Sequence, residues 1–262
     1  RGTMSHFYNC QNPSEPQFEA EVGTPAQARK AGADVYPSVT TVLGIVKDSF
    51  LDEVYKPRMM TDLAREHPDL PWASLAEMVY GTRPHPKDGE LIPSHEFGTS
   101  VHGTIERMIN HHVLGIDEHP GQSCWDKWAS PFLEWIDDNS VQALGCEKIV
   151  SHGGIKIAGS VDFIGIKDSR IFLADYKCRI NTKGKAKRYQ KDCCQLAIEA
   201  FMLMHLQKLP YLPKIRSVIV DCETAEHMHY EWTDEESQWG IRVAKAAANL
   251  YWMLRMEPIV KQ

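Results

Sequence analysis

The chain has 262 residues, enough for one large domain or two small ones with a substantial hydrophobic core. Hydrophobic residues make up 43% and charged residues 24% of the sequence, which is ordinary for a soluble globular protein. The sequence contains no run of about 18 apolar residues, so no membrane span is expected. The formal net charge of −6 argues against a generally basic nucleic-acid-binding protein, so any binding of phosphates depends on local clusters of positive charge.

The cysteines indicate a reducing environment. Seven are present, their spacing is scattered, and no C-x-x-C pair occurs. A disulfide framework, a zinc site and a cysteine-ligated iron–sulfur cluster are therefore not expected. We expect an intracellular protein, of cytoplasmic, viral or bacterial origin, without a signal peptide. Arg1–Thr3, which precede Met4, are interpreted as residues left from cloning.

The first third of the chain predicts a lead-in followed by helices. Residues 1–35 are polar and contain several prolines and glycines, so we expect an extended or poorly ordered segment. Ser38 can cap a short helix that carries Val39 and Val42 on one face. Two more helices are predicted at about residues 50–65 and 72–80, before a breaker-rich loop at about 81–95.

Longer elements follow. Residues 97–113 predict a helix with an apolar stripe, and His102 and Glu106 lie together beside that stripe because they are four positions apart. A lone histidine on such a helix is more often a packed residue than a ligand. A helix at about residues 124–139 carries three tryptophans and a phenylalanine, which we interpret as core rather than as a platform for stacking bases.

The second half of the chain predicts a mixed sheet. Strands are expected at about 147–151, 155–166, 170–177, 216–222 and 227–232, with a helix at about 188–207 and a last helix ending near 256. This order predicts an α/β (α+β) fold, in which a central mixed β-sheet is flanked by helices. We predict a single domain at 36–262, with a helical cover at 36–95 and a core at 96–262.

A hairpin in this sheet brings charged residues together. With its turn at 167–170, Asp162 falls directly opposite Asp175, and the alternation of side chains places Asp175 and Lys177 on one face, which Asp162 shares as the facing residue. Two facing carboxylates repel each other unless a positive charge lies between them, and a hard divalent cation would remove the repulsion. The alternative is a polar stripe facing solvent, and a slip of one residue in the register would also separate the charges.

A basic run follows the hairpin. It holds Lys177, Arg179, Lys183, Lys185, Lys187, Arg188 and Lys191, with no acidic residue among them. Such a run can attract phosphates even on an acidic protein, although a solvated basic loop is an equally common explanation.

Several motifs in the chain resemble those of one enzyme superfamily. In order they are Tyr36-Pro37-Ser38-Val39-Thr40, Gly98-Thr99-Ser100-Val101-His102, Gly159-Ser160-Val161-Asp162, Asp175-Tyr176-Lys177 and Gln195. Together they resemble the PD-(D/E)XK nuclease superfamily, in the branch of RecB-type nucleases and the related mitochondrial genome-maintenance and phage exonucleases. The chain departs from the family pattern at Glu199, where that pattern has Tyr, and it lacks the four-cysteine iron–sulfur motif of some relatives.

The resemblance implies a restriction-endonuclease-like core and a role for each matched residue. Asp162, Asp175 and Lys177 would be catalytic. The ligands of Mg²⁺ or Mn²⁺ would be His102, Asp162, Asp175 and the backbone carbonyl of Tyr176. Lys177 would position or deprotonate the attacking water, or stabilise charge on the phosphate. Substrate would be bound by Gln195, Lys183, Lys185, Lys187 and Arg188, and Glu106 and Glu147 are candidates for a second metal or an outer shell.

The function that the resemblance implies is metal-dependent hydrolysis of phosphodiester bonds in DNA, by an exonuclease acting on ends or single strands in DNA repair or recombination. Contacts from the basic run would then be independent of base sequence and sensitive to salt. Two alternatives stay open at this point: a structure-specific endonuclease of the same superfamily, and a non-catalytic nucleic-acid-binding protein on the nuclease fold.

Overall fold

The structure is a computed structural model. It describes residues 6–12, 15–18, 22, 24–32, 34–44, 64–65, 68–69, 81–115, 121–179 and 189–256. The predicted helix at 72–80, all but the last two residues of the one at 50–65, and the basic residues Lys183, Lys185, Lys187 and Arg188 lie outside these ranges. Within these ranges, no helix is long and apolar enough to cross a membrane.

The elements follow one another in a mixed order. The first group is β1 (Phe7–Asn9), β2 (Gln17–Phe18), α1 (Pro25–Ala31), β3 (Val35–Pro37), α2 (Val39–Leu43), β4 (Thr82–Pro84) and β5 (Leu91–Pro93). The second group is α3 (Ser94–His112), α4 (Asp126–Asp138), β6 (Gln142–His152), β7 (Ile157–Lys167), β8 (Arg170–Arg179), α5 (Gln190–Leu206), β9 (Lys214–Asp221), β10 (His227–Glu231) and α6 (Asp234–Tyr251). A π-helical turn at Trp252–Met256 continues α6.

The central sheet has five strands in the order β10-β9-β8-β7-β6. All neighbours are antiparallel except β8 and β9, which are parallel, and α5 makes the crossover that a parallel pair requires. Helices α5, α6 and α2 pack on one face, and α3 and α4 pack on the other. The predicted mixed sheet flanked by helices is therefore confirmed.

The helix boundaries follow local sequence signals closely. The Ser38 hydroxyl accepts the backbone N–H of Thr41 at 3.0 Å and so caps α2 as predicted. Thr233 caps α6 in the same way, and Glu236 completes a capping box by accepting the backbone N–H of Thr233 at 2.9 Å. Helices α3 and α5 begin and end within three residues of the predicted positions.

Part of the predicted lead-in is ordered. Strands β2, β1 and β3 form a small antiparallel sheet, and α1 contacts its last strand. A parallel bridge between Ser38 and Ala158 joins this region to the start of β7. Phe7 is fully buried in the core that α5 and α6 share. The N-terminal region is therefore packed on the central sheet, and the domain boundaries given above stay predictions.

The β7–β8 hairpin has the predicted register, but its ladder is short. Asp168 and Ser169 form its two-residue turn, and both have positive φ angles (50° and 60°), as a type I′ turn requires. The ladder runs from that turn to the pair Phe163–Ala174 and ends there, one position before Asp162 and Asp175. Beyond this point β7 pairs only with β6, and β8 pairs only with β9. The two strands therefore separate where the charged residues lie, and we call this place the fork.

Side-chain alternation also breaks at the fork. Val161 belongs to the core beneath α5, whereas Phe163, two residues later, belongs to the core beneath α3 and α4. A regular strand would direct both side chains to the same face. The irregularity between them falls on Asp162, whose carboxylate therefore lies at the junction of the two faces.

Candidate metal and catalytic site

Asp162 closes the fork by bonding to the neighbouring strand. Its Oδ2 accepts the backbone N–H of Tyr176 at 2.9 Å. With β7 no longer paired to β8 at this level, that N–H would otherwise lack a strand partner, and an unpaired buried N–H is costly. The side chain thus replaces one hydrogen bond of the ladder and fixes its own position in doing so.

Three side chains at the fork form a set of donors that could hold a metal ion. Ligand atoms of His102, Glu147 and Asp162 all lie within 4.8 Å of one another. His102 reaches in from α3, with Nδ1 3.5 Å from Asp162 Oδ2, and its ring is perpendicular to the Tyr176 ring, with 5.5 Å between the ring centroids. The set belongs to the described residues, and it includes Glu147, which the sequence suggested only for an outer shell.

Glu147 owes its place to an irregularity in β6. The pairs on either side of it place it opposite Asp162, and its φ of 47° is in the left-handed region, which non-glycine residues rarely adopt. Ser160 Oγ donates to Glu147 Oε2 at 2.6 Å and holds the carboxylate toward the fork. The backbone conformation and the hydrogen bond together direct the Glu147 carboxylate toward His102 and Asp162.

The chemistry of the donor set fits a divalent cation. Carboxylate oxygens suit hard ions such as Mg²⁺ and Mn²⁺, and the imidazole of His102 is better tolerated by Mn²⁺. Burial, and then the negative charges of Asp175 and Glu147, raise the pKa of Asp162 to about 6, while the charges of His102 and Lys177 act in the opposite direction. A cation would remove the repulsion between the carboxylates, so the residues present fit such an ion.

Lys177 lies beside the donor set as an ammonium group. Its Nζ donates to Asp175 Oδ1 at 2.5 Å. Burial lowers the pKa of Lys177, but the charges of Asp175 and Asp162 and the hydrogen bond to Asp175 outweigh burial and raise the pKa above its usual value. The side chain therefore carries its proton at neutral pH and presents a positive charge to the fork.

Asp175 is turned toward Lys177 and α5 rather than toward His102. It is 2% exposed, and its Oδ1 also accepts Gln195 Nε2 at 3.2 Å. Its Oδ2 is buried and has no hydrogen-bond partner among the described residues. Asp175 does not belong to the donor set of His102, Glu147 and Asp162, and its predicted role as a metal ligand stays a prediction.

Glu199 is part of the site, although in the sequence it was noted only as a departure from the family motif. It is 2% exposed, and its Oε1 lies 3.4 Å from Gln195 Nε2. Burial raises the pKa of Glu199 well above its usual value, and the charges of Asp175 and Asp162 add to that effect. The spacing of four residues between Gln195 and Glu199 on a helix is the sequence signal that could have linked them.

The N-terminal sheet places a buried tyrosine near the carboxylates of the site, which the sequence did not indicate. Tyr8 on β1 is 7% exposed, and burial raises its pKa to about 12, with the negative charges of Glu199 and Glu147 adding to the effect. Its ring packs with Tyr36 and Ala158. No periodicity in the polar N-terminal residues distinguishes Tyr8, so only the tertiary structure reveals it.

The predicted site residues thus divide into three groups. The structure brings together His102, Glu147, Asp162, Asp175, Lys177 and Gln195, along with the backbone of Tyr176, which donates to Asp162. Glu106 lies one turn further along α3 and is not part of the donor set. Lys183, Lys185, Lys187 and Arg188 lie outside the described residues, so their predicted contacts with phosphates stay predictions.

Comparisons with known proteins find distant structural similarity. No protein-family model and no curated protein matches the sequence. A crystal structure of the protein SSO0001 is similar with a TM-score of 0.36 and 15% identity, over 76% of this chain and 71% of that one. A structure described as "Putative exonuclease" from Eubacterium rectale is similar with a TM-score of 0.39 and 16% identity, over 64% of this chain and 69% of that one. At these scores neither structure supports an argument about the site.

Proposed function

We propose that the protein is a metal-dependent nuclease that hydrolyses phosphodiester bonds in DNA, acting on ends or single strands. The observation that carries this proposal is the arrangement at the fork. An imidazole and two carboxylates converge within 4.8 Å of one another, beside a protonated lysine held by a third carboxylate. This combination suits metal-dependent phosphodiester hydrolysis, in which negative charge on the phosphate is offset while a water is activated.

Each residue of the fork has a part in the proposed reaction. A divalent ion held by His102, Glu147 and Asp162 would lower the pKa of a bound water and offset negative charge on the phosphoryl group. The ammonium of Lys177 donates to a phosphate oxygen as charge develops there, since its raised pKa makes it a poor base. Asp175 holds that ammonium in position.

The helix α5 supports this arrangement from the other side of the fork. Gln195 donates to Asp175 and orients its Oδ1 toward Lys177. Asp175 Oδ2 is buried and accepts no hydrogen bond from the part of the chain that the structure describes, which supports its proposed role as a further metal ligand, together with the backbone carbonyl of Tyr176. Mg²⁺ or Mn²⁺ is the proposed ion, with the histidine favouring Mn²⁺.

The proposal is tested by digestion of end-labelled linear single-stranded DNA, linear duplex and covalently closed circular DNA with Mg²⁺, Mn²⁺ or a chelator. We expect linear substrates to be degraded with either ion, the circle to survive, and the chelator to stop the reaction. Cleavage of the circle would show an endonuclease, and binding without any product would show a non-catalytic protein.

A matched pair of variants tests the assignment of the site. Lys177→Ala removes the lysine at the fork, and Lys214→Ala removes a lysine that pairs with Asp234 at 2.7 Å, at the other end of β9 from the fork. We expect the first variant to lose activity while remaining folded and the second to keep it. If Lys177→Ala retains full activity, the assignment of the fork as the active site is wrong.

A further inference from the structure

An exposed tyrosine lies beside the fork. Tyr189 immediately precedes α5, and within the described ranges it is one of six large hydrophobic side chains that are exposed, at 40%. The guanidinium of Arg179 lies over its ring, 4.4 Å from the centroid. One side of the ring is therefore supported by a cation while a large part of it remains in contact with solvent.

The ring is held in place by a closed set of contacts. Arg179 Nη2 donates to both carboxylate oxygens of Asp192, at 2.8 and 2.7 Å. Asp192 Oδ2 also accepts the backbone N–H of Tyr189 at 3.2 Å, and the backbone N–H of Asp192 donates to the Tyr189 carbonyl at 2.9 Å. The two hydrogen bonds to Tyr189 use its backbone N–H and carbonyl, and the contact with the ring comes from Arg179.

The position of the ring relates it to the fork. Arg179 ends β8, and the alternation of a strand places it on the same face as Lys177 and Asp175. Two residues of strand span about 7 Å, so the backbone of Arg179, whose guanidinium contacts the Tyr189 ring, lies one such step along β8 from Lys177. Asp192 and Gln195 are three residues apart on α5 and lie on the same side of that helix.

We propose that Tyr189 is a stacking site for one base of single-stranded DNA, next to the phosphate that is cleaved; this inference rests on the nuclease function proposed above. Every base has an apolar face that can stack on an aromatic ring, whatever the sequence. In a duplex those faces are covered by neighbouring base pairs. A stacking site so close to the fork therefore selects an unpaired strand or a frayed end over an intact duplex.

The proposal is tested by measuring binding of fluorescein-labelled single-stranded oligonucleotides by anisotropy, in a Lys177→Ala background that leaves the DNA intact. Tyr189→Ala should weaken binding by about 5- to 150-fold, the range found for loss of one base–aromatic stack. Tyr189→Phe keeps the ring and should bind like the parent. The matched control is Tyr211→Ala, which removes a tyrosine that also lies under an arginine, Arg170, but at the opposite end of β8.

A scan with abasic sites supplies a test that misfolding cannot imitate. Removal of a base at one position of the oligonucleotide should weaken binding to the parent but not to Tyr189→Ala, because the stacking partner is already absent. Equal affinity of Tyr189→Ala and the parent for the intact strand overturns the stacking site, and so does an abasic penalty that is the same in both proteins. If the wild type cleaves DNA while either result is found, the nuclease proposal survives. If the wild type neither binds nor cleaves DNA, both proposals fail.

Discussion

Gly159 is the residue of the fork where a single added methyl group has the clearest consequence. A Cβ at this position would lie 3.0 Å from Glu199 Oε1 and 3.1 Å from Val39 Cγ2. Both neighbours are almost fully buried, so neither has room to move away. The glycine of the G-x-x-D motif is therefore explained by close packing against α5 and α2.

The size of the effect of Gly159→Ala follows from these contacts. Overpacking of a buried site costs about 1–3 kcal/mol. Replacement of a glycine also reduces the entropy of the unfolded chain, which returns about 0.4–1 kcal/mol. We expect a net loss of about 1–2 kcal/mol in the free energy of unfolding. A displaced Glu199 would move Gln195, which contacts it, and Gln195 in turn donates to Asp175. Because Asp175 holds Lys177, we expect the nuclease activity to fall by about tenfold or more.

The matched control is the other motif glycine, Gly98. A Cβ there would meet only Cys178 Cβ, at 4.0 Å, and the residue lies inside α3. Gly98→Ala should therefore keep activity and gain up to about 1 kcal/mol of stability from helix propensity. Urea denaturation and digestion of labelled linear DNA measure the two quantities. Gly159→Ala behaving like Gly98→Ala in both assays would refute the packing explanation.

Three further predictions address metal binding, acid stability and helix packing. Glu147→Gln should weaken Mn²⁺ binding, measured by isothermal titration calorimetry, by at least about tenfold, and unchanged affinity would remove Glu147 from the ligands. His229 stacks on Trp135 at 4.5 Å, and burial first, then the charges of Arg216, His227 and Lys167, lower its pKa to about 3. Because the unfolded chain takes up this proton first, stability should fall as pH drops below about 6.5, by about 1 kcal/mol at pH 5 after screening, and His229→Phe should show less of this loss in urea titrations. Gly240→Ala should destabilise the protein by about 1–2 kcal/mol, because its Cβ would lie 3.0 Å from the backbone oxygen of Cys193; a variant as stable as the wild type in the same titration would contradict this.

Features encoded by local sequence were predictable. The turn at Asp168–Ser169 and the alternation of apolar residues determined the register of the β7–β8 hairpin. Capping residues such as Ser38 and Thr233 marked helix starts. The mixed sheet followed from the order of strands and helices. Each of these features depends on residues within a few positions of one another, which is why a single sequence was enough.

Features that depend on distant parts of the chain were not predictable. Glu147 belongs to the donor set because it lies opposite Asp162 and has a positive φ, and neither feature can be predicted from the residue type. The place of Tyr8 depends on packing between the N-terminal sheet and β7. Glu199 was visible as a departure from a motif, but the raised pKa of its carboxyl depends first on burial and then on the charges of Asp175 and Asp162. In each case tertiary contacts override what the local pattern indicates.

The fork explains how one site can draw on helices from opposite faces of a sheet. His102 comes from α3, and Gln195 comes from α5, on the other face. In a continuous sheet the backbone would separate His102 from Gln195, because the side chains of a strand point alternately to two opposite faces. Where β7 leaves β8, Asp162 replaces a ladder bond within the plane of the sheet, so His102 reaches it from one side while Lys177 and Asp175 approach from the other. The register predicted from sequence brings the two aspartates to the same level, and the end of the ladder at Phe163–Ala174 lets the two strands separate where these carboxylates lie.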